Sequence, residues 1–271
     1  MNFEGLIIHK AAYKDRDLIC KLLLRSGKTL SFYFYGGRGG GKKAKGSFLE
    51  LGHMIKVTTK DGAKKNISDI HIASEYNLIW DSGLIRKNHV AYYYICFMFE
   101  IIQKITVDED IDHPSKDFEG IFKVASNLLF YLDQDLKEKK FDLKKYIFSL
   151  LSKILFELGT LPNLHHCGHC EIDLNKVEMA RFEPHDGHFT CLDCLQAKDE
   201  TISGNLAYID ELRTNIKLKN DILSYLAAQI KELASLNTID SKENESLFNY
   251  LCYQFGFNSI HFKAWEMVKQ M

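Results

Sequence analysis

The sequence has no long hydrophobic run. Its most apolar stretch, residues 90–102 (VAYYYICFMFEII), is interrupted by Glu100 and is too short to span a bilayer, so it reads as a buried helix. The opening MNFEGLIIHK lacks the basic segment, apolar stretch and small-residue cleavage site of a signal peptide, and a cytoplasmic protein without a membrane partner is expected. Internal repeats and long low-complexity tracts are also missing. So are a nucleophile elbow, an H-E-x-x-H helix and a carboxylate dyad in a recognisable context, which leaves little from which to build a hydrolase. The seven cysteines do not form a disulfide framework if the compartment is reducing. Cys20, Cys96 and Cys252 lie in apolar surroundings and read as core thiols.

Excess charge is lacking overall, with a formal net charge of −1, yet the charge is unevenly distributed. Residues 1–65 hold 14 Lys+Arg against 5 Asp+Glu, a balance of +9, and the remaining residues carry −10. A basic module joined to an acidic body points to a polyanionic partner for the first part only.

The 271 residues can bury a substantial core in one to three domains. The first part is strand-like: FEGLIIHK, DLICKLLL and TLSFYFY are short runs separated by tight turns. FLELGHMIKV alternates, with Leu49, Leu51, Ile55 and Val57 on one face and Glu50, Gly52 and Lys56 on the other. KDGAKK has the Asp-Gly signature of a hairpin turn, and NISDIHI closes the series. Five or so short strands of this size fit an OB-type barrel. From about residue 80 the period becomes helical. In residues 142–159, apolar side chains recur at 143, 146, 147, 150, 151, 154, 155 and 158, ahead of Gly159 and Pro162. Residues 88–105, 117–136, 220–236, 242–257 and 258–271 also read as helices. The expected fold class is α+β and multidomain: an N-terminal OB-fold barrel, then an all-α bundle with an inserted four-cysteine zinc module. The expected divisions are 1–79 for the barrel, 80–162 and 201–271 for the helical domain, and 163–200 for the zinc module.

One stretch of the barrel, YGGRGGGKKAKG (residues 35–46), nearly spells a nucleotide-binding P-loop. Lys43 stands where the motif needs a Ser or Thr to hold magnesium, and strand alternation follows where a helix should open. A solvated hairpin connection is the plain reading. The arrangement of other cations favours a basic loop that contacts a nucleic-acid backbone. Arg16, Lys21, Arg25, Lys28, Arg38, Lys42, Lys43, Lys45, Lys56, Lys60, Lys64 and Lys65 come from several strands and turns of one small barrel, beside Tyr33, Phe34 and Tyr35. Alternation puts Phe34 on the face opposite Tyr33 and Tyr35. Cations along a groove with outward aromatics for base stacking suit a single-strand binder, so Tyr33 and Tyr35 join the cations as DNA-binding candidates.

Residues 166–196 contain Cys167-x-x-Cys170 and, after 20 intervening residues, Cys191-x-x-Cys194. Two such knuckles can set four thiolates tetrahedrally around one zinc ion, a closed site with no position left for substrate, hence structural. Gly168 and Gly187 are expected to permit the sharp turns around the metal. His165, His166, His169, His185 and His188 crowd the segment as possible replacements for a thiolate. Asp108-Glu109-Asp110-Ile111-Asp112 reads as a solvated acidic loop rather than a metal cluster.

The order of these parts resembles the RecO family of bacterial recombination mediators. The resemblance covers nearly the whole chain: GLIIHKAAYKDRDLICKLLLRSGKTLSFYFYGGRG with its Y-x-[DE]-x-D turn, the helical body with the cysteine quartet, and LFNYLCYQFGFNSIHFKAWEMV at the end. The loop after the third strand departs from that family in carrying more glycine and lysine and less arginine. The resemblance implies an OB-fold, a helical domain, a zinc module and a non-enzymatic, nucleoid-associated role in DNA repair and recombination. It implies binding of single- and double-stranded DNA, annealing of complementary strands, and loading of RecA onto strands coated by single-strand-binding protein. The implied protein partners are RecR and the C-terminal tail of that coating protein. A zinc-ribbon protein–protein adaptor is the alternative reading, and an NTPase or zinc hydrolase is a third.

Overall fold

The computed structural model of the protein describes residues 1–38, 46–59, 70–106, 119–197 and 206–271, with residues 206–209 described by backbone alone. The chain forms two compact units, Met1–Phe141 with Phe262–Met271, and Asp142–His261. This division runs through the expected 80–162 segment and returns the last ten residues to the first unit.

The first unit is built on a closed barrel of β1 (Asn2–Tyr13), β2 (Asp17–Leu24), β3 (Thr29–Phe34), β4 (Met54–Thr59) and β5 (Ile70–Trp80). Its strand order is β1-β2-β3-β5-β4, closed by the antiparallel pairing of β1 with β4. Among the described residues of the barrel, β3 and β5 are the one parallel pair. Strand alternation places Leu18, Cys20 and Leu22 of β2, Phe32 and Phe34 of β3, and Ile55 and Val57 of β4 in one core with Ile7 and Leu49. Gly5 sits where β1 meets both neighbours, opposite Leu24 and Ile55. A Cβ there would come within 2.6 Å of the Leu23 carbonyl oxygen.

The strand expected from residue 48 begins later. Gly46–Phe48 form a short 3-10 turn, and Gly52 adopts the left-handed region at φ 80, so the chain bends twice before β4 starts at Met54. Leu49 still reaches the core and Leu51 packs partly buried against it, so the facing pattern holds although the strand does not. The KDGAKK turn and the start of NISDIHI lie outside the described residues.

The helix α1 (His89–Ile105) follows, capped by Asn88, whose side chain accepts from the Ala91 N–H. It is buried nearly all round, from Tyr94 to Ile105, as the long apolar run requires. α2 (Glu119–Glu138) and the terminal α7 (Lys263–Val268) complete this unit, and Glu100 of α1 accepts from the Lys263 and Ala264 N–H groups that open α7.

The second unit holds α3 (Leu143–Glu157), a small sheet of β6 (Asn163–Cys167), β7 (Ala180–Glu183) and β8 (His188–Cys191), then α4 (Leu192–Gln196), α5 (Leu206–Ala227) and α6 (Ser241–Gln254). α3 follows its predicted period: Asp142 caps it, Tyr146, Ile147, Leu150, Leu151, Ile154 and Leu155 are buried, and Gly159 ends it at φ 67. The helix expected over 220–236 is displaced. α5 starts at Leu206 and stops at Ala227, because Gln229 turns extended and caps a separate 3-10 segment, Ile230–Ser235, through a capping box with Glu232. The helices expected over 242–257 and 258–271 also end sooner. Gly256 terminates the first at φ 64, and Ser259–His261 form only a 3-10 turn before α7.

Candidate nucleic-acid interface and metal centre

The register of β1, β2, β3 and β5 determines which side chains share the outer face of the barrel. His9, Lys21, Ser31 and Ile70 lie in one row, and Ala11, Ile19, Tyr33 and Ile72 in the next. Tyr13 and Asp17 are paired beyond them at the β1–β2 turn. Phe34 is buried while Tyr35 is 65% exposed, so alternation separates the aromatics as the sequence implied. Lys14 in the turn adopts a left-handed φ of 51, and its ammonium lies 5.5 Å from the centre of the Tyr13 ring.

Three tyrosines meet at this end. Tyr33 packs edge-to-face against Tyr35, with centroids 4.6 Å apart, and against Tyr13, 5.5 Å away. Asp17 ties the cluster down. Its carboxylate accepts the Tyr33 hydroxyl and, at 2.8 Å, the Gly36 N–H. The Tyr33 hydroxyl and the Gly36 N–H hold the Asp17 carboxyl below its ordinary range. The same bond to Asp17 pushes the Tyr33 phenol up to about 12. The Arg38 N–H donates to the Arg16 carbonyl at 2.9 Å, bringing those two exposed arginines to the same turn region.

The other predicted cations fall into different places. Arg25 and Lys56 both flank Glu4: Arg25 donates to its carboxylate at 3.1 Å and also lies over the Phe122 ring, and Lys56 is opposite Glu4 in the β1–β4 ladder. Lys28 belongs to the turn between β2 and β3, where its carbonyl accepts from the Leu24 N–H. Lys42, Lys43, Lys45, Lys60, Lys64 and Lys65 lie outside the described residues, as does the acidic run 108–112. In the near-P-loop, the described part Tyr35–Arg38 forms turns. The next described residues enter a 3-10 turn and then β4, with no α-helix among them. Sequence reading missed Tyr13, Lys14 and Asp17. Their signal was the Y-x-[DE]-x-D turn, whose first and last members face each other across the hairpin.

In the second unit, Cys167 ends β6, Cys170 lies in the following turn, Cys191 caps α4, and Cys194 lies within that helix. Their four sulfurs all fall within 4.8 Å of one another, and no disulfide forms among them. Cys170 Sγ and Cys191 Sγ are 3.6 Å apart. A tetrahedral metal with metal–sulfur bonds near 2.3 Å requires about 3.8 Å between ligand sulfurs, so the donor set fits a bound metal ion. Burial resists ionisation of Cys167, but the N–H groups of Cys170, Cys191 and His169 outweigh it and bring that thiol to about 6. Burial is the main reason that the Cys191 and Cys194 thiols are raised.

The two glycines serve different purposes. Gly187 does take the left-handed turn, at φ 67. Gly168 does not. It is needed because a Cβ there would lie 2.1 Å from Cδ2 of the His188 ring. The five histidines stay out of the four-sulfur group: His188 edges against His169, His185 packs on Tyr253 4.4 Å away, and the N–H groups of His165 and His166 bond to Asn163. The sheet is fixed to the helices by Phe182, which stacks on Phe189 and edges against Tyr250, and by Lys219 of α5, buried and bonded to Asn175 at 2.8 Å.

No protein-family model matches this chain, and no curated protein matches it. Among the described residues, no helix is long and apolar enough to cross a membrane.

Proposed function

We propose that this protein is a non-enzymatic DNA-binding mediator of repair and recombination, of the RecO kind, whose barrel is an OB-fold and whose metal is one structural zinc. It binds single- and double-stranded DNA through the barrel, anneals complementary strands and assists RecA onto strands coated by single-strand-binding protein. RecR and the C-terminal tail of the coating protein are its proposed partners, in the nucleoid. The carrying observation is the convergence of Tyr13, Tyr33 and Tyr35 with Lys14, Arg16 and Arg38 at one end of the β1–β2–β3 face. Strand order and the parallel β3–β5 pair support the OB reading, in which the face of strands 2 and 3 and the adjoining loops take oligonucleotides. Annealing needs no bond made or broken. Cations that neutralise two strands at once lower the repulsion opposing their pairing.

Zinc is preferred among metals because a closed four-thiolate tetrahedron suits it and exposes no open position. The metal would contribute to folding of the sheet between α3 and α5. The direct test is annealing of complementary fluorescent oligonucleotides by the full-length protein. Acceleration over the protein-free rate, without ATP, is expected. A protein that neither binds nor anneals oligonucleotides would overturn the proposal and favour a protein–protein adaptor.

A further inference from the structure

The three tyrosines are tied together although two of them are exposed. Tyr35 is 65% exposed and Tyr13 is 44% exposed, yet both rings are held against Tyr33. The cause is Asp17. Its two carboxylate oxygens take one partner on each side of Tyr35: the Tyr33 hydroxyl at the end of β3 and the Gly36 N–H in the turn beyond. Gly36 bends away in the left-handed region at φ 65. Asp17 therefore holds the Tyr33 ring, against which Tyr35 packs, and the backbone N–H that follows Tyr35.

We infer that Tyr13 and Tyr35 form a preset stacking platform for unpaired nucleobases, with Tyr33 as its support and Asp17 as the positioning residue. This rests on the proposed nucleic-acid binding and assigns it a preference: unpaired strands, DNA or RNA, over duplex, with little sequence selectivity. Every base has a π-face, and only unpaired bases can offer it to a side chain. Phosphate contacts do not distinguish the two forms in this way, so the preference must come from the rings. Asp17 provides the sharpest distinction. A carboxylate among Lys14, Arg16 and Arg38 should repel a polyanion, so charge alone makes its removal favourable to binding. If it positions the platform, its removal lowers the preference for single strands.

The test measures affinity of the full chain for oligo-dT, oligo-rU and a duplex of equal length, by anisotropy at several salt concentrations. Tyr13→Leu and Tyr35→Leu should each weaken single-strand binding about fivefold to a hundredfold with duplex binding and the salt slope unchanged. Asp17→Ala and Tyr33→Phe should lower the single-strand to duplex ratio. Equal loss for dT and rU is expected of a platform that reads bases. A loss confined to one of them would overturn the general preference. Unchanged ratios in the tyrosine variants, or tighter single-strand binding by Asp17→Ala with its ratio intact, would overturn the platform while leaving DNA binding standing. A protein that binds no oligonucleotide would instead sink the proposed function. Photocrosslinking of wild-type protein to bromodeoxyuridine-substituted oligo-dT needs no variant to fold. Adducts at Tyr13 or Tyr35 are expected, and adducts confined to other residues would contradict the assignment.

Discussion

Gly168→Ala tests the metal module at its tightest point. The added methyl would lie 2.1 Å from Cδ2, 2.3 Å from Cγ and 2.5 Å from Nε2 of His188. Ordinary contact is about 3.5 Å, so the ring or the knuckle must retreat by about an ångström or more. Neither has an easy route. His188 is half-buried in β8 and edges against His169, and the knuckle carries Cys167 and Cys170. Overpacking of this kind costs about 1–3 kcal/mol. Because a preformed site is absent from the unfolded chain, that cost is expected as about a 5- to 140-fold weaker metal affinity. Competition for zinc against a chromophoric chelator reads it. Adding His188→Ala should recover part of the loss by removing the overlap, and the two single variants complete the double-mutant cycle. Wild-type zinc affinity in Gly168→Ala, or a double variant no better than the two losses added, would refute the reasoning.

Chelation should act on one unit only: removing the metal is expected to raise amide exchange in β6, β7, β8 and α4 while leaving β1–β5 protected, as exchange mass spectrometry would show. In the barrel, burial lowers the His53 imidazole below its ordinary value although its Nδ1 lies 3.2 Å from the Phe48 carbonyl. The unfolded chain therefore takes up this proton first. The His53 contribution to stability is full above the unfolded value of about 6.5 and is lost as pH falls through the folded one. An NMR titration should place the His53 midpoint below about 6.5, and the Tm should fall on acidification from neutral pH. A midpoint at or above about 6.5 would contradict the burial argument.

Much of this molecule is legible in residue order because its signals are local. Alternation in TLSFYF separates Phe34 from its tyrosine neighbours, the 143–158 period and Gly159 delimit α3, and the paired C-x-x-C knuckles bring four sulfurs together. What escaped depends on partners remote in sequence. Asp17 matters because β1–β2–β3 pairing carries Tyr33 and Gly36 to it, and Gly168 because β8 returns His188 beside it. The break after Ala227 was hidden because Gln229 is an unusual cap, recognisable only once Glu232 is seen to reach back to its N–H. The compact units follow packing rather than sequence blocks. Glu100 anchors the start of α7 from 163 residues away, so the chain's last segment joins its first half.

If a cationic, aromatic end of the barrel grips a sugar–phosphate strand, oligo-dT binding by the full-length protein must weaken as salt is raised. Contacts by Lys14, Arg16, Lys21 and Arg38 alone predict that log affinity falls with log salt at a slope of about −2.8, and contacts from further lysines would make it steeper. Replacing Arg16 and Arg38 with Ala should bring the slope to about −1.4. Binding that is absent, or indifferent to salt and to those two arginines, would contradict the account.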